Sequence, residues 1–303
     1  MSSRLVSPVF VGRRAELNAL AAAAGRTRRG EPMICLVSGE AGVGKSRLVA
    51  EASTLFEGEG FRVVKGMCVE LGGTALPFPA LVDALRALKR STTAPELERI
   101  LGSARRELAR LVPDLAPDVP ETPFGDGGSI SRLFELVLGL LGRAAGGDGL
   151  VLVFEDLHWA DRSTLDLVTF LARSLRDERV MLLLTYRSDE VDRRHPLRGA
   201  VAEIERLPAA SRIELRRFDT AEVGEQLEGM LGAAAAPELA ARVFDRSEGN
   251  AFLVEEIVGI VRSDGAAKLP PPLRDLLAGP YRAALASRPV LAPHRCGWCA
   301  DYP

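Results

Sequence analysis

The apolar run Met33-Ile34-Cys35-Leu36-Val37 leads into Gly39-Glu40-Ala41-Gly42-Val43-Gly44-Lys45-Ser46, and a helical pattern follows from Lys45 to Glu57. No other stretch of the chain restricts its fold so tightly. The octapeptide satisfies G-x-x-x-x-G-K-[ST] in the strand, loop and helix context that the motif requires. In such a loop the glycines let backbone N–H groups turn inward around phosphate oxygens, and the helix N-terminus adds partial positive charge. The phosphate-binding candidates are Gly39, Ala41, Gly42, Val43, Gly44, Lys45, Ser46 and Arg47. Lys45 would neutralise β- and γ-phosphates, and Ser46 would ligate Mg²⁺. From average composition a chance match in a chain of this length arises on the order of once in a hundred.

Further apolar runs predict strands at Phe61 to Lys65, Leu150 to Phe154, Val180 to Tyr186 and Ile213 to Leu215. Helical patterns separate them, at Phe78 to Lys89, Glu96 to Leu111, Ile130 to Ala144, Ser163 to Leu175 and Leu197 to Glu205, after a first helix at Ala15 to Arg29. Strands that alternate with helices imply a parallel sheet covered on both faces. From Thr220 only helical patterns appear, near Glu222 to Leu231, Pro237 to Arg246 and Leu253 to Val261. The expected fold is α/β, a parallel sheet flanked by helices, plus a smaller helical domain. The expected boundaries are 1–217 for the sheet domain with a helical insertion at about 77–146, 218–278 for the helical domain, and 279–303 for an irregular tail. From Pro280 that tail holds two of three tyrosines and two of four cysteines, a break that fits a disordered end or, better, a shifted reading frame.

The 39 basic and 41 acidic residues leave a formal charge of -2, which excludes the global positive field of a general nucleic-acid or anionic-membrane binder. No apolar run approaches the roughly 20 residues that span a bilayer. Met1 to Pro8 shows no secretory pattern, and four scattered cysteines form no disulfide framework, so a cytoplasmic location is expected. Cys35 and Cys68, in or beside apolar runs, read as buried thiols. Cys296-Gly297-Trp298-Cys299 with His294 gives three soft ligands where structural zinc takes four, and it lacks the strand–helix setting of a redox pair. Neither role is expected there.

Val151-Leu152-Val153-Phe154-Glu155-Asp156 places two carboxylates at a strand end, where ligands of parallel sheets bind. By position Glu155 would join the Mg²⁺ shell and Asp156 would polarise water, although the roles are exchangeable. Arg187, closing Thr185-Tyr186-Arg187, could reach a γ-phosphate with a guanidinium suited to bidentate binding. Asp161 reads as a helix N-cap and His195 as a loop residue.

Taken in order, Phe10-Val11-Gly12-Arg13-Arg14-Ala15-Glu16-Leu17, the glycine-rich loop, Glu155-Asp156-Leu157-His158-Trp159-Ala160-Asp161, Thr185-Tyr186-Arg187 and Ser247-Glu248-Gly249-Asn250-Ala251-Phe252-Leu253-Val254-Glu255-Glu256 resemble one family. It is the ATPase module of large LuxR-type, MalT-like bacterial regulators, in the STAND branch of AAA+ related P-loop ATPases. The likeness covers roughly Val9 to Leu277. It implies an ATP/ADP switch that uses Mg²⁺, self-associates with ATP and hydrolyses slowly, with Val11, Gly12 and Arg13 near the adenine. It also implies that the helical domain is a lid whose Gly-Asn-Pro segment closes over the nucleotide. Here Ala251 stands at the proline position, and an alanine does not fix the local backbone as proline would.

Such regulators continue to a helix-turn-helix, whereas this resemblance stops near Leu277. This chain alone is therefore not expected to bind specific DNA sites. Two other readings stay open from the sequence: an origin-recognition-like AAA+ ATPase that acts on DNA, and a truncated fragment without function.

Overall fold

The computed structural model describes residues 6–70, 77–115 and 127–264. The tail at 279–303, with Cys296, Cys299 and His294, lies outside the described residues. The chain divides into two compact units: Arg14–Ala41 with Leu48–Leu215, and Arg216 onward with the segment ending at Arg13 and with Gly42–Arg47.

In chain order the elements are α1 (Arg14–Arg28), β1 (Met33–Gly39), α2 (Lys45–Gly58), β2 (Arg62–Met67), α3 (Pro79–Arg90), α4 (Ala94–Leu101), α5 (Arg105–Ala109) and α6 (Gly127–Ala145). Then come β3 (Leu150–Glu155), α7 (Arg162–Ser174), β4 (Val180–Arg187), α8 (Pro196–Ile204), β5 (Ala210–Leu215), α9 (Thr220–Leu231), α10 (Pro237–Ser247) and α11 (Ala251–Asp264).

The five strands are all parallel, in the order β2-β3-β4-β1-β5. Every residue of β1 is buried, as are all but the last of β3 and β4. Burial on both faces is why these strands read as unbroken apolar runs rather than alternating ones. Ile34, Leu36, Leu152, Phe154, Leu182 and Leu184 face a core shared with α3, α6, α7 and α8, while α1 packs on β1 and β4. The edge strand β5 is longer than its apolar part because the exposed Arg212 and Glu214 alternate with the buried Ile213 and Leu215, and Ala210 and the polar Ser211 before them are only partly buried. That exposure hid its first half from an apolar-run reading.

The expected helix from Glu96 to Leu111 is instead two helices, α4 and α5, joined by a tight 3-10 turn. Gly102 breaks it with φ 47° and ψ −129°, and Arg143 of α6 donates from Nε to the Ile100 carbonyl at 2.8 Å and from Nη2 to the Leu101 carbonyl at 3.1 Å. Carbonyls left by the break are thus satisfied from another helix. On α6, Leu133, Phe134, Val137 and Leu141 are buried as their spacing predicts, whereas Ile130 is exposed.

In the second unit α9, α10 and α11 pack around Val223, Leu227, Leu239, Val243, Val254 and Val258, with Val11 in the same core. Helix α9 begins with a reciprocal capping box between Asp219 and Glu222. His195 is more than a loop residue: its Nδ1 caps α8 by accepting from Leu197 N–H at 3.2 Å.

Candidate functional site

The parallel register fixes which chain segments meet at the carboxyl edge of the sheet. Gly39 pairs with Arg187, and Phe154, just before Glu155, pairs with Leu184. The glycine-rich loop therefore starts beside the last residue of β4, and the carboxylate pair follows on the next strand. Ser188 N–H donates to the Gly39 carbonyl at 3.2 Å, tying the two loops together.

Gly42 has φ +76°, and a Cβ there would stand 2.6 Å from Asn250 Oδ1 and 2.9 Å from Phe252 Cβ. Phe252 N–H donates to the Gly42 carbonyl at 3.1 Å, while Asn250 Oδ1 accepts from Phe252 and Leu253 N–H and so caps α11. Around Gly44 the space that a Cβ would enter is open. Lys45 is buried and Ser46 exposed in the first turn of α2, where N–H groups have no intrahelical partner. Donors of this kind, an ammonium and an open backbone suit an anion such as a nucleotide phosphate.

Of Val11, Gly12 and Arg13, it is Arg13 that contacts this loop. Arg13, buried at φ 58°, donates from Nη2 to the Val43 carbonyl at 3.4 Å and to the Arg216 carbonyl, and its guanidinium lies 4.9 Å from the Phe218 ring. Val11 is in the helical core, and a Cβ on Gly12 would strike Glu222 Oε1 at 2.3 Å.

Glu155 ends β3, its carbonyl accepting from Cys68 N–H at 3.0 Å. Asp156 sits in the left-handed region at φ 58°, which aspartate tolerates better than most residues. Its backbone N–H donates to Thr185 Oγ1 at 3.0 Å, and its Oδ1 lies 3.9 Å from His158 Nδ1. The imidazole of His158 is fully buried; Nδ1 accepts from Arg187 N–H at 3.4 Å and Nε2 faces Glu190 Oε2 at 3.5 Å. Arg187 is ion-paired with Glu190 and stacks on Trp159, Cζ 4.9 Å from the ring centroid. Asp161 caps α7 by accepting from Thr164 N–H at 3.2 Å, and its second oxygen accepts from Phe78 N–H at 3.3 Å.

Thr185, His158 and Glu190 were not legible as parts of this constellation. Thr185 and His158 stand inside the recognised motifs, but their contacts are about 30 residues away in sequence; Glu190 carries no motif at all. The thiols of Cys35 and Cys68 are buried and pushed up to about 12, chiefly by burial. Among the described residues no group of three or more His, Cys, Asp or Glu could hold a metal ion by itself. A Mg²⁺ shell of one hydroxyl, one carboxylate, water and substrate phosphates needs no such group.

The sheet order and the loop between β1 and α2 define a P-loop NTPase fold. Residues 9–184, more than half of the chain, match the AAA ATPase domain family, and the chain belongs to that family. Arg187 and helices α9 to α11 lie beyond the matched segment. No curated protein matches the chain. Similar solved structures include a signal transduction ATPase with numerous domains (STAND) and a tetratricopeptide repeat sensor from Pyrococcus horikoshii, at 16% identity and TM-score 0.45, covering 82% of this chain and 30% of that one. Drosophila ORC bound to DNA is similar at 14% identity and TM-score 0.49, covering 84% and 56%. A Thermotoga maritima RuvB variant follows at 15% identity and TM-score 0.45, covering 84% and 62%. This chain spans between 30% and 62% of the lengths of those three.

Proposed function

We propose that the chain is a cytoplasmic ATP-binding switch module with slow Mg²⁺-dependent hydrolysis, of the kind found in LuxR-type, MalT-like regulators of the STAND branch. One observation carries this reading: β1 opens into the glycine-rich loop and α2 while, at the same sheet edge, β3 ends in Glu155-Asp156 and β4 in Arg187. Bound ATP would supply the phosphoanhydride and Mg²⁺ the charge neutralisation. Lys45 and the loop amides would hold the β- and γ-phosphates, while Ser46 and Glu155 would provide the metal's protein ligands. Asp156, its backbone anchored to Thr185, would orient the attacking water, and Arg187 would report the terminal phosphate. Val11, Gly12 and Arg13 would take the adenine side, residues 218–278 would act as the lid, and ATP would favour self-association.

Lys45→Ala should abolish binding of Mg-ATP and ADP in calorimetry while circular dichroism stays native. Wild-type affinity in that variant would overturn the phosphate-cradle assignment. Asp156→Asn should keep ATP binding and lose turnover by about 10²- to 10⁴-fold, the usual contribution of a positioned base. Unchanged turnover would move the water-orienting role to Glu155.

A further inference from the structure

The turn after β4 carries two adjacent carboxylates, each set against a group that the proposed phosphate site would use. Asp189 Oδ2 accepts from Ala41 N–H at 3.5 Å. Glu190 Oε1 is ion-paired with Arg187, and its other oxygen faces His158 Nε2 at 3.5 Å. Trp159 completes the enclosure, its ring 4.6 Å from that of His158 and 4.9 Å from the Arg187 guanidinium carbon. The group suited to recognise a terminal phosphate is thus already engaged by an internal anion. The pair is breakable, since 28% of the arginine side chain and 37% of the glutamate remain exposed.

We propose that Glu190 is a specificity-determining residue for nucleotide state: its carboxylate competes with the terminal phosphate of a nucleoside triphosphate for Arg187, and so biases the chain toward the diphosphate. The inference rests on the ATP-switch reading. A triphosphate that draws on Nη1 of Arg187 competes with Glu190 for it, whereas a diphosphate has no γ-phosphate to offer and leaves the pair intact. An interaction can shift preference between two ligands only by treating them differently. Asp189 differs from Glu190 in this respect. The Ala41 amide belongs to the loop that both nucleotides would engage, so Asp189→Asn should move both affinities alike.

The test is calorimetric titration of the full chain with Mg-ADP and with a non-hydrolysable β,γ-imido analogue of ATP, for wild type, Glu190→Gln and Glu190→Ala. Both variants should tighten the analogue by about two- to fivefold, the scale of a partly exposed ion pair, with ADP affinity unchanged. In an Arg187→Ala background the Glu190→Gln effect should vanish, as a double-mutant cycle requires. An unchanged affinity ratio, an equal shift for both nucleotides, or an effect that survives Arg187→Ala would each overturn the proposal while leaving ATP binding intact. Failure of wild type to bind either nucleotide would overturn the underlying reading as well.

Discussion

Asp83 on α3 accepts Met67 N–H at 3.0 Å, yet its carboxyl is pushed up to about 6. Burial is the largest cause; the Met67 hydrogen bond and the charges of Arg90 and Arg86 act the other way without cancelling it. Because the folded protein holds this proton more tightly than an ordinary aspartate at 3.8, the group's contribution to stability is fully present below that value and is lost as pH rises through about 6. Asp83→Asn keeps an oxygen for Met67 N–H and cannot ionise. Its stability relative to wild type should therefore climb between about pH 4 and pH 7 in urea denaturation series, by an amount set by the pKa difference. A flat or falling difference would show that burial is not what governs this carboxyl. The same desolvation acts on Cys35 and Cys68, whose neutral thiols behave as core groups rather than nucleophiles. At Asp161, by contrast, both carboxylate oxygens have backbone donors, which fixes the starts of α7 and α3 together.

Element packing is most exacting where α3 crosses β2. A Cβ on Gly66 would lie 2.0 Å from the Ala80 carbonyl oxygen and 3.1 Å from Phe154 Cδ1, so Gly66→Ala forces the helix off the strand. The expected cost is about 1–3 kcal/mol or more, read from the denaturation midpoint. Gly199 in α8 has nothing within 4 Å of the equivalent position and is exposed, so Gly199→Ala should instead stabilise by about 0.5–1 kcal/mol. Equal effects at the two sites would show that the close approach of α3 to β2 is not a constraint. The elements themselves were largely legible, because buried parallel strands and amphipathic helices write their period into contiguous residues. The break between α4 and α5 was not, since its carbonyls are satisfied by Arg143, some forty residues away. The site divides along the same line. The glycine-rich loop, Glu155-Asp156 and Arg187 are each local patterns at strand ends. Thr185 on Asp156, Arg13 on Val43 and Glu190 on His158 arise only from sheet register and tertiary packing, which no short window of sequence encodes.

At the scale of the whole molecule the charge balance separates two uses of one ATPase fold. An ATPase driven by DNA must gather phosphates along the duplex, and each neutralised phosphate releases counterions and steepens the salt dependence of binding. This chain carries 39 basic against 41 acidic residues, and many of its arginines are already committed. Arg26, Arg62, Arg110, Arg162, Arg173, Arg187 and Arg212 are all paired with carboxylates on the chain itself. A near-neutral total with these internal pairs gives no global field to draw a polyanion in. Hydrolysis of Mg-ATP by the full chain should therefore proceed at the same rate with and without duplex DNA at about 50 mM salt, the regime that most favours non-specific binding. Stimulation of about tenfold that collapses by about 200 mM salt would show that a local basic track outweighs the global balance. The chain would then be a DNA-acting ATPase rather than a switch. Unaltered turnover, together with a nucleotide-dependent change in sedimentation, would favour a module whose output is its own association state, with Glu190 setting how readily ATP brings it about.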